Sequence, residues 1–334
     1  MKIMATKWQL KGKSLDNMNI LVTGGAGVIG SNLVKTIPGN IKVIDNLSSS
    51  NLESIGDQIK KRHINFIRGD IRDINLLQEI SKGMDLIIHL AANADVRYYE
   101  GKETSDDIII NTVGTYNVME VMRRNDIDYM IFSSSSSVYG LAEKIPTPET
   151  YGPLLPESLY AGSKLGAEGI ISSFSSIFGF KSFIFRFANI VAPNYRTIGR
   201  NVIPDLILKL KENNQSLKIL GNGKQRKSYL YVDDCIEGMI HLANVSKKDI
   251  DIFNLGNEDS ISVDEIAEII VKEMGVHDVK YNYTGGERGW VGDIPTTILD
   301  INKAIKLGWK PSMNSAEAVR KSARTIIEGM KESN

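Results

Sequence analysis

A chain of 334 residues with 42% hydrophobic side chains is long enough to bury a sizeable core, and its forty basic and forty acidic residues cancel to a formal charge of zero. That balance supplies no global attraction for nucleic acid or an anionic membrane, so neither is expected as a partner. The single Cys235 excludes an internal disulfide and suits a reducing, cytoplasmic compartment. No run reaches the roughly 18 apolar residues of a membrane span. The opening stretch, residues 1–17 (MKIMATKWQLKGKSLDN), lacks the apolar region of a signal peptide and reads as a leader or an extra edge.

Residues 19–23 (NILVT) then read as a buried strand, 24–30 (GGAGVIG) as a tight turn and 31–37 as a helix. In that context glycines let the backbone approach a pyrophosphate resting on a helix N-terminus. Two registers fit, GxGxxG from Gly25, Gly27 and Gly30, or GxxGxxG from Gly24, Gly27 and Gly30. A glycine-rich turn in any α/β protein would look alike. Asp45 argues against that reading. It ends the next apolar strand, 41–44, at the distance where an acid binds a ribose 2′-hydroxyl. Its negative charge would repel a 2′-phosphate, so NAD is expected rather than NADP.

Further strands near 64–68, 86–90, 128–133 and 181–187 alternate with helical stretches, which predicts an α/β fold with a Rossmann-like, doubly wound parallel sheet. His63, His89, His241 and His277 are scattered without ligand spacing, no metal site is predicted, and His89 inside its apolar strand reads as a packed residue. Past Pro193 the rhythm changes to a helix near 203–211, a strand near 217–220, a helix near 232–244, a strand near 252–255, and helices near 263–274 and 315–331. The expected division is a dinucleotide-binding domain of residues 18–192 plus 231–256 and a smaller, interleaved C-terminal lobe of 193–230 plus 257–330.

Tyr160 and Lys164 stand four apart in a stretch that reads as a helix (SLYAGSKLGAEGIISSF), downstream of a strand ending in the serine run 133–137. In a helix that spacing places both side chains on one face. A nearby ammonium favours phenolate, so Lys164 is expected to lower the Tyr160 phenol toward a range useful for a general base. Alone, the pair equally describes a surface tyrosine beside a solvated lysine, and Tyr98 with Lys102 repeats the spacing without a serine-bearing strand before it.

TGGAGVIG (23–30), IDN (44–46), GDI (69–71), HLAA (89–92), SSSSSVYG (133–140), YAGSK (160–164), RFAN (186–189), GNGKQRKSYLYVDD (221–234) and GD (292–293) follow one another in an order that resembles the extended short-chain dehydrogenase/reductase superfamily. Within it the chain is similar to the NAD-dependent sugar-nucleotide epimerase and dehydratase group typified by UDP-glucose 4-epimerase, over nearly the whole length after residue 18.

By position, the resemblance implies that Gly24, Gly27 and Gly30 hold the pyrophosphate of NAD, Asp45 and Asn46 the adenosine ribose, and Asp70 with Ile71 the adenine. Val28, Ile29, Leu90, Ala91, Ala92, Asn111, Ser133 and Phe187 complete the cofactor pocket. Ser135, Tyr160 and Lys164 are implied as catalytic, with Tyr160 and Lys164 also at the cofactor, Lys164 on its nicotinamide ribose, and Ser135 and Tyr160 facing the sugar. For the nucleotide sugar it implies Asn189 at the diphosphate, Asn201 and Val202 nearby, Leu220 near the base, and contacts from Ser136, Lys227, Arg288 and Asp293. Loop capping is the alternative role for Asn189 and Asn201.

The implied activity is epimerisation of a UDP-hexose at C4 through a transient 4-keto sugar. Ser136 and Ser137 stand where the group's dehydratases and decarboxylases place carboxylates just before VYG, and elimination needs such proton-transfer groups. A UDP-glucuronate 4-epimerase, another sugar-nucleotide oxidoreductase, and a non-catalytic NAD-binding sensor are the alternatives. Relatives commonly dimerise through two helices per subunit, here the stretches near 105–125 and 159–178, so a homodimer is expected. Three departures bear on the substrate. Lys227-Ser228 replaces a common Arg-Asp, with Arg226 placed to compensate; Trp290 replaces an arginine, with Arg288 the nearest substitute; and Thr297 leaves room for an N-acetyl group.

Overall fold

A computed structural model of the chain describes residues 8–62, 64–94, 103–193 and 201–332. Tyr98, Lys102 and His63, singled out above, lie outside the described residues.

The first half alternates strand and helix: β1 (Asn19–Thr23), α1 (Val28–Thr36), β2 (Asn40–Asp45), α2 (Gly56–Arg62), β3 (Asn65–Arg68), α3 (Ile74–Ile80), β4 (Leu86–His89), a π-helical turn (Ile108–Val113) running into α4 (Gly114–Arg124), β5 (Tyr129–Ser135), α5 (Leu159–Phe178) and β6 (Lys181–Phe187). The second half comprises β7 (Asn189–Val191), α6 (Val202–Glu212), β8 (Ser216–Ile219), β9 (Arg226–Lys227), β10 (Tyr229–Tyr231), α7 (Val232–Val245), β11 (Ile250–Leu255), β12 (Ile261–Ser262), α8 (Val263–Met274), β13 (Lys280–Tyr283), β14 (Thr296–Thr297), α9 (Asn302–Lys306) and α10 (Ser315–Glu332).

Seven strands make one all-parallel sheet in the order β11-β6-β5-β4-β1-β2-β3. Parallel strands covered on both faces need apolar side chains at odd and even positions alike. Ile20 and Val22 accordingly join one core, with Ile88, Ile131 and Phe185, while Leu21 joins the other, with Ile87, Met130, Phe132 and Ile184. The order reverses between β1 and β4, and ligands of such sheets bind outside the carboxyl ends of the strands at that switch point. Thr23, Asp45, His89 and Ser135 all stand at such ends.

The helix after the glycine turn begins at Val28, three residues before the sequence pattern suggested. Gly27 is its N-cap in extended conformation, so the last glycine of the motif is already helical. Beyond the large sheet, β7 pairs with β10, β8 with β13, and β9 lies between β12 and β14. The helices α6, α8 and α10 pack on one another beside these small sheets.

Trp8 onward belongs to the folded body and is not a free leader. Gln9–Leu10 and Lys13–Ser14 form an antiparallel hairpin of their own, separate from the seven-stranded sheet, and its first strand packs on α7. Leu10 and Leu15 are fully buried, and the Lys11 ammonium donates to the Ser246 carbonyl just past α7. Truncating Leu15→Ala therefore removes a core side chain. It should lower the unfolding free energy by about 2–5 kcal/mol, measured as a reduced urea midpoint at unchanged slope.

Candidate active site

The glycine turn is shaped by backbone that leaves no room for side chains. Gly24 has φ +71°, and a Cβ there would lie 2.6 Å from the Ala91 nitrogen. At Gly30 a Cβ would lie 2.3 Å from the Gly24 carbonyl oxygen. The α1 N-terminus has no side-chain cap, leaving its first N–H groups for an anion. A cavity of about 500 Å³ opens there, lined by Gly24, Gly27, Val28, Ile29 and Gly30. Its far wall is built from Asp45, Asn46, Asp70 and Ile71, and its near wall from Leu90, Ala91 and Ala92.

Asp45 also organises the loop itself. One carboxylate oxygen accepts from the Ala26 N–H at 2.9 Å, the other from the Leu47 N–H at 2.8 Å and the Ser50 hydroxyl at 2.9 Å. Asn46 donates to Asp70 at 2.8 Å, and Arg72 grips Asp70 with Nε and Nη2, holding its carboxyl down at about 2. A backbone crossing closed to any Cβ, an uncapped helix start and an acid at the end of β2 together fit the pyrophosphate and ribose of a dinucleotide.

Five residues assigned to the cofactor, Asn111, Ser133, Phe187, Tyr160 and Lys164, are not in the lining of this cavity. Asn111 is buried on the π-helical turn, where it accepts from the Asn93 N–H at 2.8 Å and donates to the Asn93 carbonyl and to the Ser163 hydroxyl at 2.9 Å. It ties the cofactor wall to α5. Phe187 alternates inward on β6 and packs in the core, a correction to its expected place. Ser133 donates its hydroxyl to the His89 carbonyl. His89 is a packed residue, bonded to Thr23 at 2.6 Å and Thr115 at 3.0 Å, with burial pulling its imidazole down to about 3. Asn93, Ser48 and Ser49 line the cavity without having been singled out. Only Asn93 carries a sequence hint, since it directly follows HLAA.

The helix α5 starts with the Ser158 side chain capping the Ala161 N–H, and so lays Tyr160 and Lys164 along the end of β5. Ser135 is hydrogen-bonded to the Tyr160 phenol. Lys164, 2% exposed, donates to the Ser133 carbonyl at 2.8 Å and lies 4.8 Å over the Phe132 ring. The expected lowering of the phenol by Lys164 is not what this arrangement gives. Burial dominates and raises Tyr160 to about 12, the Ser135 bond offsets part of the rise, and Asp107 adds to it. Burial likewise pulls the Lys164 ammonium down to about 7, against the carboxylate of Glu168. Desolvation opposes either charge in a dry site, and it outweighs pair attraction here.

A second cavity, about 240 Å³, meets the first at Ile190 and Asn201. Ser135, Ser136 and Ser137 form one end of it, with Asn189, Val202 and Leu220 farther along. Asn201 does cap α6, accepting from the Ile203 N–H at 3.2 Å, and lines both cavities as well. Lys227 and Asp293 also line it, bonded to each other at 2.5 Å, with Trp290 beside them. The Lys227 ammonium is 5.0 Å over the Trp290 ring, and the second Asp293 oxygen accepts from the Gly289 N–H.

Two expected substitutes fail. Arg226 pairs with Glu265 outside the cavity, because alternation along β9 turns Lys227 inward and Arg226 out. Arg288 pairs with Glu157 at 3.2 Å, leaving Trp290 in the lining. Among the described residues no cluster of His, Cys, Asp and Glu could hold a metal ion, and no helix is long and apolar enough to cross a membrane.

A doubly wound sheet with a glycine loop at its switch point, and a Ser-Tyr-Lys set at the adjoining strand end, mark a dinucleotide-dependent enzyme. The chain belongs to the NAD dependent epimerase/dehydratase family, which matches residues 20–256, and its cofactor is NAD. A putative UDP-glucose 4-epimerase of Methanocaldococcus jannaschii is 33% identical over 94% of this chain and 99% of its own. A crystal structure of a UDP-galactose 4-epimerase aligns with TM-score 0.82 at 34% identity over 94% of this chain and all of that one. A UDP-N-acetylglucosamine 4-epimerase from Methanobrevibacter ruminantium, solved with UDP-N-acetylmuramic acid, aligns with TM-score 0.83 at 28% identity over 94% and 100%.

Because a Cβ at Gly30 collides with backbone, Gly30→Ala should weaken NAD binding at least about tenfold, some 1.4 kcal/mol. Calorimetric titration of the purified variant checks this, and unchanged affinity would remove the glycine crossing from the cofactor site.

Proposed function

We propose that this enzyme interconverts UDP-hexoses at C4, with UDP-glucose and UDP-galactose as one pair and N-acetylated hexoses accepted as well. The observation that carries the reading is the sugar end of the second cavity. Three consecutive serines, Ser135 to Ser137, form it, and the carboxylates lining the cavity among the described residues, Asp205 and Asp293, are each paired to a lysine, Lys209 and Lys227. Elimination of water needs a free acid and base beside the sugar. Alcohol oxidation and its reversal need a hydride acceptor, which NAD would supply, and from the protein only a phenol, a hydroxyl and a cation.

In this reading Tyr160 takes the proton of the 4-hydroxyl, and Ser135, already bonded to the phenol, shares its hydrogen bond with the reacting oxygen. NAD held by the glycine loop would supply the reversible hydride exchange at C4 that oxidation to the ketone and its reversal require. Lys164 supplies the positive charge that a half-buried phenolate requires. With the phenol at about 12 and the ammonium at about 7, the free protein holds the phenol protonated and Lys164 about half charged near neutral pH. Asn189, Asn201, Val202 and Leu220 hold the nucleotide while the keto sugar turns over at the serine end. Lys227 faces the diphosphate as a point charge, in place of an arginine fork.

Thr297, paired with Lys227 across β14 and β9, lines the same cavity and leaves room beside the sugar. The solved relative that carries an N-acetylated ligand supports the same extension.

Exposed apolar side chains on two elements, Ile109, Val113 and Tyr116 on one and Ile177 with Phe178 on the other, support a homodimer through these helices. Sedimentation equilibrium should give twice the 37.0 kDa chain mass; a monomer at micromolar concentration would exclude that pairing.

Supplied with UDP-glucose and no oxidant, the purified protein should form UDP-galactose without net NADH, and it should also turn over UDP-N-acetylglucosamine. Tyr160→Phe should reduce kcat about 10²–10⁴-fold with NAD affinity retained. Accumulating NADH would instead mark a dehydrogenase, and a strict preference for the unacetylated sugar would remove the N-acetyl extension.

A further inference from the structure

Three side chains of α5 at steps of four meet three consecutive serines of β5. Tyr160 bonds the Ser135 hydroxyl, Lys164 the Ser133 carbonyl at 2.8 Å, and Glu168 accepts from the Ser134 hydroxyl at 2.5 Å. The third contact lies one turn beyond the reacting groups. Met130 and Phe132 of β5 share a core with Ala167 and Ile171 of α5, so alternation points Ser134 at the helix as well.

Glu168 is also gripped from behind. Arg186, opposite Ser134 in the sheet register, donates Nε to one carboxylate oxygen at 3.0 Å and Nη2 to the other at 2.6 Å. Glu168 and Arg186 are 5% and 3% exposed. The Arg186 guanidinium lies 4.7 Å over the Tyr139 ring, and Tyr139 in turn donates to Asn254 at 2.7 Å. The remaining titratable groups near Lys164 are Tyr160 on its own helix, His89 from β4, kept neutral by burial, and Asp107 ahead of the π-helical turn, which acts on Tyr160.

Glu168 thus places a buried carboxylate, ion-paired to Arg186, one helical turn from the buried Lys164. Arg186 cannot surrender its proton, whereas a lysine can. Withdrawing the negative charge therefore falls on Lys164.

We propose that Glu168 is a positioning residue of the site: held by Ser134 and Arg186, it keeps Lys164 a cation and seats α5 in register against the serine end of β5. The inference rests on the assignment of Lys164 to the site made above. It adds a residue outside both cavity linings, through which the sheet interior governs the charge that the phenolate needs.

The test reads Lys164 directly, by NMR titration of lysine side-chain methylenes in the full-length protein with NAD bound, the Lys164 signal being assigned by its loss in Lys164→Arg. In Glu168→Gln that titration should move at least one unit to lower pH, about a tenfold loss of cation at any pH above it. The basic limb of the kcat profile should move with it. Glu168→Asp, which keeps the charge, should recover most of the shift.

Glu168→Gln leaves Arg186 buried and unpaired, so Glu168→Gln with Arg186→Met is made in parallel to relieve that burial. The double variant should fold with Lys164 still titrating below its wild-type value. An unmoved Lys164 titration in Glu168→Gln, or its full return in the double variant, would overturn the proposal, because Glu168 would then serve only to neutralise Arg186. Full turnover by Tyr160→Phe would instead sink the catalytic reading and leave this titration unaffected.

Discussion

The packing of α5 against the carboxyl end of β5 is the constraint on which the site depends. A helix turns once every 3.6 residues and rises about 5.4 Å per turn, so side chains at 160, 164 and 168 lie nearly in a column, and a strand end can meet that column in only one register. Here each of the three finds a polar partner on Ser133, Ser134 or Ser135. Shifting the helix by one residue would break all three contacts together and leave buried polar groups unpaired. Asn111 and Thr112 fix the same helix from its other side through Ser163, so α5 is clamped between the π-helical turn and the sheet.

Burial is the second force that shapes the chemistry. It drives the phenol up, the ammonium down and the His89 imidazole down, in each case toward the uncharged form. At rest the phenol and the imidazole are therefore uncharged, while Lys164 is about half protonated near neutral pH. The substrate cavity follows a different rule. Its lysines are already paired to Asp205 and Asp293, so the walls present nearly neutral polar pairs instead of a fixed positive field. In the proposed reading an incoming diphosphate would compete with an aspartate for Lys227, which suits a pocket that holds the nucleotide while its sugar reorients.

Much of this was legible along the chain. The alternation of apolar strands with helices, the glycine turn followed by an acid at the end of the next strand, and the serine run before the Tyr-Lys pair are all local patterns whose physics is backbone geometry. They located six of the seven parallel strands within a few residues, and the seventh, β11, through its core at 252–255. Reading failed where a position depends on which way a strand faces. Arg226 and Lys227 are neighbours of like charge, and only pairing of β9 between β12 and β14 turns one outward to Glu265 and the other into the cavity. Phe187 failed for the same reason, drawn into the core by its place on β6. Arg288 failed because Glu157, 131 residues away in sequence, comes within reach of it.

By itself the sequence determined the class of fold and marked the glycine loop and the Ser135, Tyr160 and Lys164 set on which the proposed reading rests, because each is written in short-range spacing that obeys the periods of helix, strand and turn. Only the tertiary structure decided that Glu168 and Arg186 stand behind Lys164, that Asn111 braces α5 and does not line the pocket, and that Trp8 onward is part of the body. Those contacts join segments far apart in the chain, and the close packing of a shared interior, which no local pattern encodes, selects among them.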